Sequence, residues 1–156
     1  LHPDGHYLVD YVTVQENVSD AALVLEAYRY GGCIAYRGPS HWHESNSAYL
    51  TSAGRGRKDG HQSRARWCAM YGETEHGVAA VTILGHPNNH DAPQRQRIWP
   101  ATQQNKGAMF FNFVPIQETA WALRPGKPCT QRYRIVLSAG TPEPAQADAW
   151  FATYVR

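Results

Sequence analysis

Four strand-sized apolar runs, each closed by turn residues, constrain this chain more than any other feature. In "YLVDYVTVQ", Tyr7, Val9, Tyr11 and Thr13 alternate with Leu8, Asp10 and Val12. "GVAAVTIL", "MFFNFVPI" and "RYRIVLS" follow, the last placing Tyr133, Ile135 and Leu137 on one face. A period of two sends successive side chains to opposite faces of a strand, so such runs bury one face of a sheet. Between them lie "RYGG", "YRGPS", "HPNN" and "RPGKP". Strands separated by turn chemistry, without intervening helices, predict an all-β dominated chain built as an antiparallel β-sandwich. "LRPGKP" reads as a type II turn in which Pro125 presets φ and Gly126 supplies the positive φ.

One helix is expected, at the C-terminus. In "TPEPAQADAWFATYV", Ala147, Trp150, Phe151 and Tyr154 recur at helical spacing, Thr141 is placed to cap the first turn, and the helix is expected at a sheet edge. "SDAALVLEAYRY" fits either a helix capped by Ser19 or a strand, and the strand is preferred. A length of 156 residues suits one core, so residues 1–156 form a single sandwich domain or the C-terminal portion of a larger one. Leu1 in place of an initiator methionine points to a processed or truncated start.

Charge and composition narrow the partners. A net charge of +2 leaves no electrostatic footprint for nucleic acid. No run approaches the ~20 apolar residues of a membrane-spanning helix, so no membrane insertion is expected. Three cysteines, Cys33, Cys68 and Cys129, lack metal-ribbon spacing and leave one disulfide with one free thiol open. "HWH" puts His41 and His43 on one face, the spacing cupins use for a metal pair. The carboxylate that should follow is replaced by Ser47 and Ala48. The segment therefore reads as a solvated loop with an interface Trp42, and no metal ligands are assigned. "GRGRKDGHQSR", residues 54–64, reads as a mobile solvated loop rather than a phosphate cradle.

"GHPNNHDAPQRQRIWP" offers more. His86, Asn88, Asn89 and His90 supply neutral donors and acceptors suited to sugar hydroxyls, and Trp67, Trp99, Phe110 and Phe111 supply stacking faces. The expectation is one polar-aromatic cleft holding a glycan or small sugar. In it His86 and His90 carry acid-base chemistry, Asn89 and Asn112 bind hydroxyls, Arg66 or Arg97 holds a carboxylate or ring oxygen, and Trp67 and Trp99 stack. No carboxylate pair spaced for glycoside hydrolysis is visible, which leaves lyase, epimerase or oxidised-sugar chemistry open. Asp91 and Glu118 are further acid-base candidates. The competing reading is a non-catalytic assembly module that pairs with a second polypeptide or with other copies of itself. No cofactor is identified by either.

The blocks "YRYGG", "YLTSAGRGRKD", "RARWC", "GHPNN" with "RIWP", "NKGAMFFNFVPI" and "LRPGKPCTQRYRIVLSAG" together resemble the PmoA-like family of bacterial proteins over residues 20–156. The resemblance implies a sandwich akin to the galactose-mutarotase supersandwich, a secreted or periplasmic setting, an association with carbohydrate use, and a missing N-terminal half. The family's oxygenase label is not carried over, because a membrane oxygenase subunit needs spanning helices. One departure matters for catalysis: the family pattern has glutamate where this chain has Ala53 in "TSAG".

Overall fold

The computed structural model describes residues 5–156. Leu1, on which the expectation of a processed start rests, lies outside them. The fold is strand-dominated, antiparallel and sandwich-like, with one C-terminal helix of substance. In chain order the elements are β1 (Tyr7–Gln15), β2 (Leu23–Leu25), β3 (Ile34–Arg37), β4 (Ser47–Thr51), β5 (Trp67–Thr74) and β6 (Gly77–Gly85). There follow β7 (Arg95–Ile98), a single helical turn α1 (Gln104–Gly107), β8 (Phe110–Val114), β9 (Trp121–Leu123), β10 (Cys129–Ala139) and α2 (Pro144–Tyr154). The major sheet has the order β1-β10-β6-β5-β4, a second sheet the order β3-β8-β7, and β2 pairs with β9 as a ribbon.

Strands β4, β5, β6 and β10 of the major sheet are covered on both faces, and their alternation explains how, whereas the edge strand β1 is exposed on both. One face sends Tyr49, Cys68, Met70, Ile83 and Tyr133 into a core completed by Ile34, Ile98, Phe111 and Phe113 of the second sheet. The other face carries Trp67, Ala69, Leu84 and Val136, which pack under Ala147, Trp150, Phe151 and Tyr154. The helix therefore lies across the sheet face, not at its edge: the partners of its apolar stripe come from β5, β6 and β10. Thr141 does not cap it. Glu143 occupies the N-cap without a side-chain hydrogen bond, and the proline of the first turn presets the backbone.

Two other expectations change. Trp42 is 2% exposed and belongs to the core, its indole N–H donating to the Glu73 carbonyl at 2.8 Å. Segment 54–64 is tied down: Arg57 donates to the Gly107 carbonyl at 2.6 Å and to Ser47, while its guanidinium lies 4.8 Å from the Tyr49 ring. The turn at Arg124–Lys127 forms as read, with Gly126 at φ 62° and the Lys127 N–H donating to the Arg124 carbonyl at 3.3 Å. The ambiguous segment near Leu23 is the short strand β2. All three cysteines are free thiols.

Strand β8 is the tightest element of the fold. Val114, Phe113, Asn112 and Phe111 are all buried, the two phenylalanines toward the core and Asn112 away from it. The segment Tyr28–Gly32 crosses that outer side, anchored by the Tyr28 N–H donating to the Ile116 carbonyl at 2.8 Å. Its glycine pair permits the approach. A Cβ on Gly32 would meet the Phe113 carbonyl and the Asn112 amide, and one on Gly31 would meet Ile116. Truncating Phe113 to alanine is expected to cost about 3–5 kcal/mol, and Gly32→Ala about 1–3 kcal/mol or more. Urea denaturation read by fluorescence measures both as a lowered midpoint at unchanged slope.

Candidate functional site

The residues that the sequence groups into one cleft lie in three places. Arg66 and Trp67 meet α2: Trp67 is 1% exposed and donates to Asp148 at 2.8 Å, and Arg66 pairs with the same carboxylate at 3.1 Å. With its indole under the helix, Trp67 has no free face for a ligand. His86 lies edge-on to Tyr154 at 5.4 Å, its Nδ1 accepting from the Asn88 N–H at 3.1 Å. Asn89 clamps the backbone of Arg132, donating to its carbonyl at 2.8 Å and accepting from its N–H at 2.7 Å. That side chain replaces a missing strand neighbour of β10. His90 stacks on Trp121 at 4.1 Å, beside a groove of about 380 Å³ that Asn88, Arg124 and Lys127 also line. Asp91 and Glu118 are held in ion pairs with Arg64 and Arg95.

The third place brings Arg97, Trp99 and the predicted stacking residue Phe110 together with Tyr28, Arg29, Tyr30 and Arg37, which the sequence did not single out. On the outer side of the second sheet, β7 presents Arg97 and, just past its end, Trp99; β8 presents Phe110, and β3 presents Arg37. The Tyr28–Gly32 segment lays Tyr30 across them. Its hydroxyl accepts from Arg97 Nη2 at 3.2 Å and from Trp99 Nε1 at 3.3 Å. Rings of Tyr28, Tyr30, Phe110 and Trp99 form a continuous series with centroid separations of 5.9, 5.6 and 4.9 Å, but Trp99 is only 3% exposed and, like Trp67, has no free face on which a ligand could stack. Three guanidinium groups lie on this surface: Arg97 and Arg29 over Tyr30 at 4.7 and 5.6 Å, and Arg37 over Trp99 at 4.8 Å. Among the described residues none of the three has a carboxylate partner.

Asn112, the other predicted hydroxyl ligand, lies directly beneath this surface, donating to the Ile34 and Phe113 carbonyls at 2.7 and 3.2 Å. It holds the platform rather than facing a ligand. His61 stands behind Arg97 at 3.1 Å. Since Arg97 only donates, His61 Nε2 is the acceptor and the ring proton sits on Nδ1, a buried atom without a partner. Burial, with the Arg97 charge, holds His61 below the ordinary histidine range. For Tyr30, burial pushes the hydroxyl up, but hydrogen bonds from Arg97 and Trp99 and the charges of Arg97 and Arg29 outweigh it and leave the phenol lowered.

Chemically this is an anion-seeking surface with apolar flats. Arginine forks match carboxylates in two parallel hydrogen bonds, and aromatic faces accept the C–H side of a sugar ring. Among the described residues no cluster of three or more His, Cys, Asp or Glu side chains could hold a metal ion. The missed residues left one signal: "YRYGG", where glycines flatten a segment that otherwise carries only aromatic and cationic side chains.

Burial also holds His86 and His90 below the ordinary value of 6.5, opposed at His90 by Asp91. Three histidines that prefer neutrality in the fold bind fewer protons folded than unfolded, so stability is fully present above about pH 6.5 and declines as pH falls below it. Thermal unfolding between about pH 7 and pH 5 is expected to show a falling Tm, with a shallower slope in His61→Gln and His90→Gln.

Comparison with the curated proteins and with the solved structures gives no match. No helix of the described residues is long and apolar enough to cross a membrane. A family model, the family of unknown function DUF6807, matches residues 1–152 of this chain. Matched over nearly its whole length, the chain belongs to that family.

Proposed function

We propose that this protein binds or processes a carbohydrate, and that its ligand is a glycan bearing a carboxylate, held on the surface formed by Arg37, Arg29, Arg97 and Tyr30 above the buried Trp99. The observation that carries this reading is the set of three arginines stacked on aromatic rings with, among the described residues, no carboxylate beside them. A guanidinium committed to a structural role usually has an acid or several carbonyls to satisfy it. Arg66 and Arg134 do, with Asp148 and Asp10. Arg37, an exposed residue, lies over the Trp99 and Phe110 rings and has no carboxylate partner among the described residues. The PmoA-like resemblance of "YRYGG" and "RIWP", with the carbohydrate association and secreted or periplasmic setting it implies, supports the same reading.

Calorimetric titration with oligogalacturonate and with a neutral galactose oligomer of equal length tests it. Only the acidic oligomer is expected to bind, more weakly as salt rises. Arg37→Ala is expected to lower affinity roughly 10- to 100-fold, as for the loss of a hydrogen bond to a charged group. Equal binding of both oligomers, or no loss in the variant, overturns the assignment.

A second reading, self-association, has its own observation. Tyr7, Leu8, Val9, Tyr11, Val12 and Val14, all on β1, are exposed large apolar side chains, and β1 is an edge strand. Its single charge, Asp10, is already neutralised by Arg134 at 2.6 Å, so the strand lacks the lysines and prolines that blunt edges. We infer that another copy pairs along β1. Sedimentation velocity is expected to show a dimer that Val12→Lys dissociates; a wild-type monomer at all concentrations overturns it.

A further inference from the structure

We propose, on the basis of the acidic-glycan reading, that Tyr30 is a catalytic residue which cleaves a uronate-containing glycan by β-elimination. The geometry is specific to this side chain. Its hydroxyl oxygen receives two donors, Arg97 Nη2 and Trp99 Nε1, at 3.2 and 3.3 Å. Two donors on one phenol oxygen stabilise the phenolate, the form that accepts a proton. The charged and titratable groups around it are Arg29 and Tyr28 on its own segment, Arg97 on β7, His61 behind Arg97 and Arg37 on β3, over Trp99 and Phe110. Every charge in that set is positive. The lowered tendency of Tyr30 to hold its proton is the consequence of this arrangement.

Elimination needs two things besides the base. The carboxylate of the sugar must be neutralised so that the adjoining C–H becomes acidic, and Arg37 and Arg29, exposed and without an ion-pair partner among the described residues, stand where a ligand beside Tyr30 would meet them. The base must be held without competing charge, and Arg97 with its neutral His61 does that as a pair of positioning residues. The Tyr30 phenolate takes the proton from the carbon bearing the carboxylate. The C–H electron pair becomes the new carbon–carbon double bond, the glycosidic C–O bond at the β carbon breaks, and the departing oxygen takes the proton from Tyr30. The phenolate is thereby restored. No oxidant, reductant or water is consumed, and no paired carboxylates are required, which accommodates the absence of a glutamate at Ala53.

The test incubates the protein with polygalacturonate and with a polyglucuronate, and follows the ultraviolet absorbance of the conjugated unsaturated product alongside calorimetric binding. Wild type is expected to bind and to generate the product, with a rate that climbs with pH as Tyr30 ionises. Tyr30→Phe keeps the ring contacts; it is expected to fold, to bind within about twofold of wild type, and to lose roughly 10²- to 10⁴-fold in turnover. Arg97→Lys is expected to displace the ascending limb of the pH profile to higher pH, which a purely structural role would not do. Binding without unsaturated product, or undiminished turnover in Tyr30→Phe, overturns the elimination and leaves the binding reading standing. Failure of wild type to bind either polymer overturns both.

Discussion

Everything distinctive in this protein depends on strand β8 being buried on both faces. Toward the core, Phe113 stacks on Tyr133 of the major sheet at 5.7 Å and crosses Phe111 edge-on at 4.9 Å, so the two sheets are joined through aromatic contact. Away from the core, Asn112 is sealed under the Tyr28–Gly32 segment and satisfies the Ile34 and Phe113 carbonyls. The segment is held over it by the Tyr28 N–H donating to the Ile116 carbonyl and by the bonds Arg97 and Trp99 donate to Tyr30. The position of Tyr30 on the platform is thus inherited from the packing of the core beneath it.

Below the platform the core contains a short polar chain as well as apolar contacts. Tyr133 donates to Gln94 at 2.8 Å, and Gln94 donates onward to Gln131 at 2.9 Å. This links β10 to the stretch preceding β7, the strand that carries Arg97. Burial pushes the Tyr133 hydroxyl far above the phenol range, in the opposite direction to Tyr30. Two tyrosines of one chain are separated by environment alone: one lies among uncharged amides in the core, the other among guanidinium groups at the surface.

How much of this the sequence discloses follows from the range of the forces involved. Strand β1 is bounded as its alternation predicts, and the stripe Ala147, Trp150, Phe151 and Tyr154 meets the sheet, because periodicity is local information. The helix's placement on a face is a property of β5, β6 and β10 together and is invisible in its own residues. Trp67 and Trp42 illustrate a similar gap, since an indole reads alike whether its N–H meets Asp148, a backbone carbonyl or a ligand. Asn89 and Asn112 look like hydroxyl ligands in sequence and turn out to bond backbone groups at long separation. Arg97 keeps its place in a candidate site while Trp99, expected to stack on a ligand, is buried beneath it as a donor to Tyr30; that tyrosine is 67 and 69 residues away from them and arrives only because Gly31 and Gly32 let it.

Exposed ion pairs contribute little to stability, so pairing Arg37 or Arg29 with an acid would gain the fold almost nothing. Leaving them unpaired costs a little through mutual repulsion, which the aromatic faces offset by cation–π attraction. Stability is therefore nearly indifferent to the arrangement, whereas ligand binding is not: a carboxylate entering this surface finds donors already oriented and gains the interaction without first breaking an internal salt bridge. A built-in acid would have to be displaced before any ligand could bind. On the binding reading proposed above, the geometry is preorganised for an anion supplied from outside, and the donors that converge on Tyr30 favour its phenolate over that of an unassisted phenol.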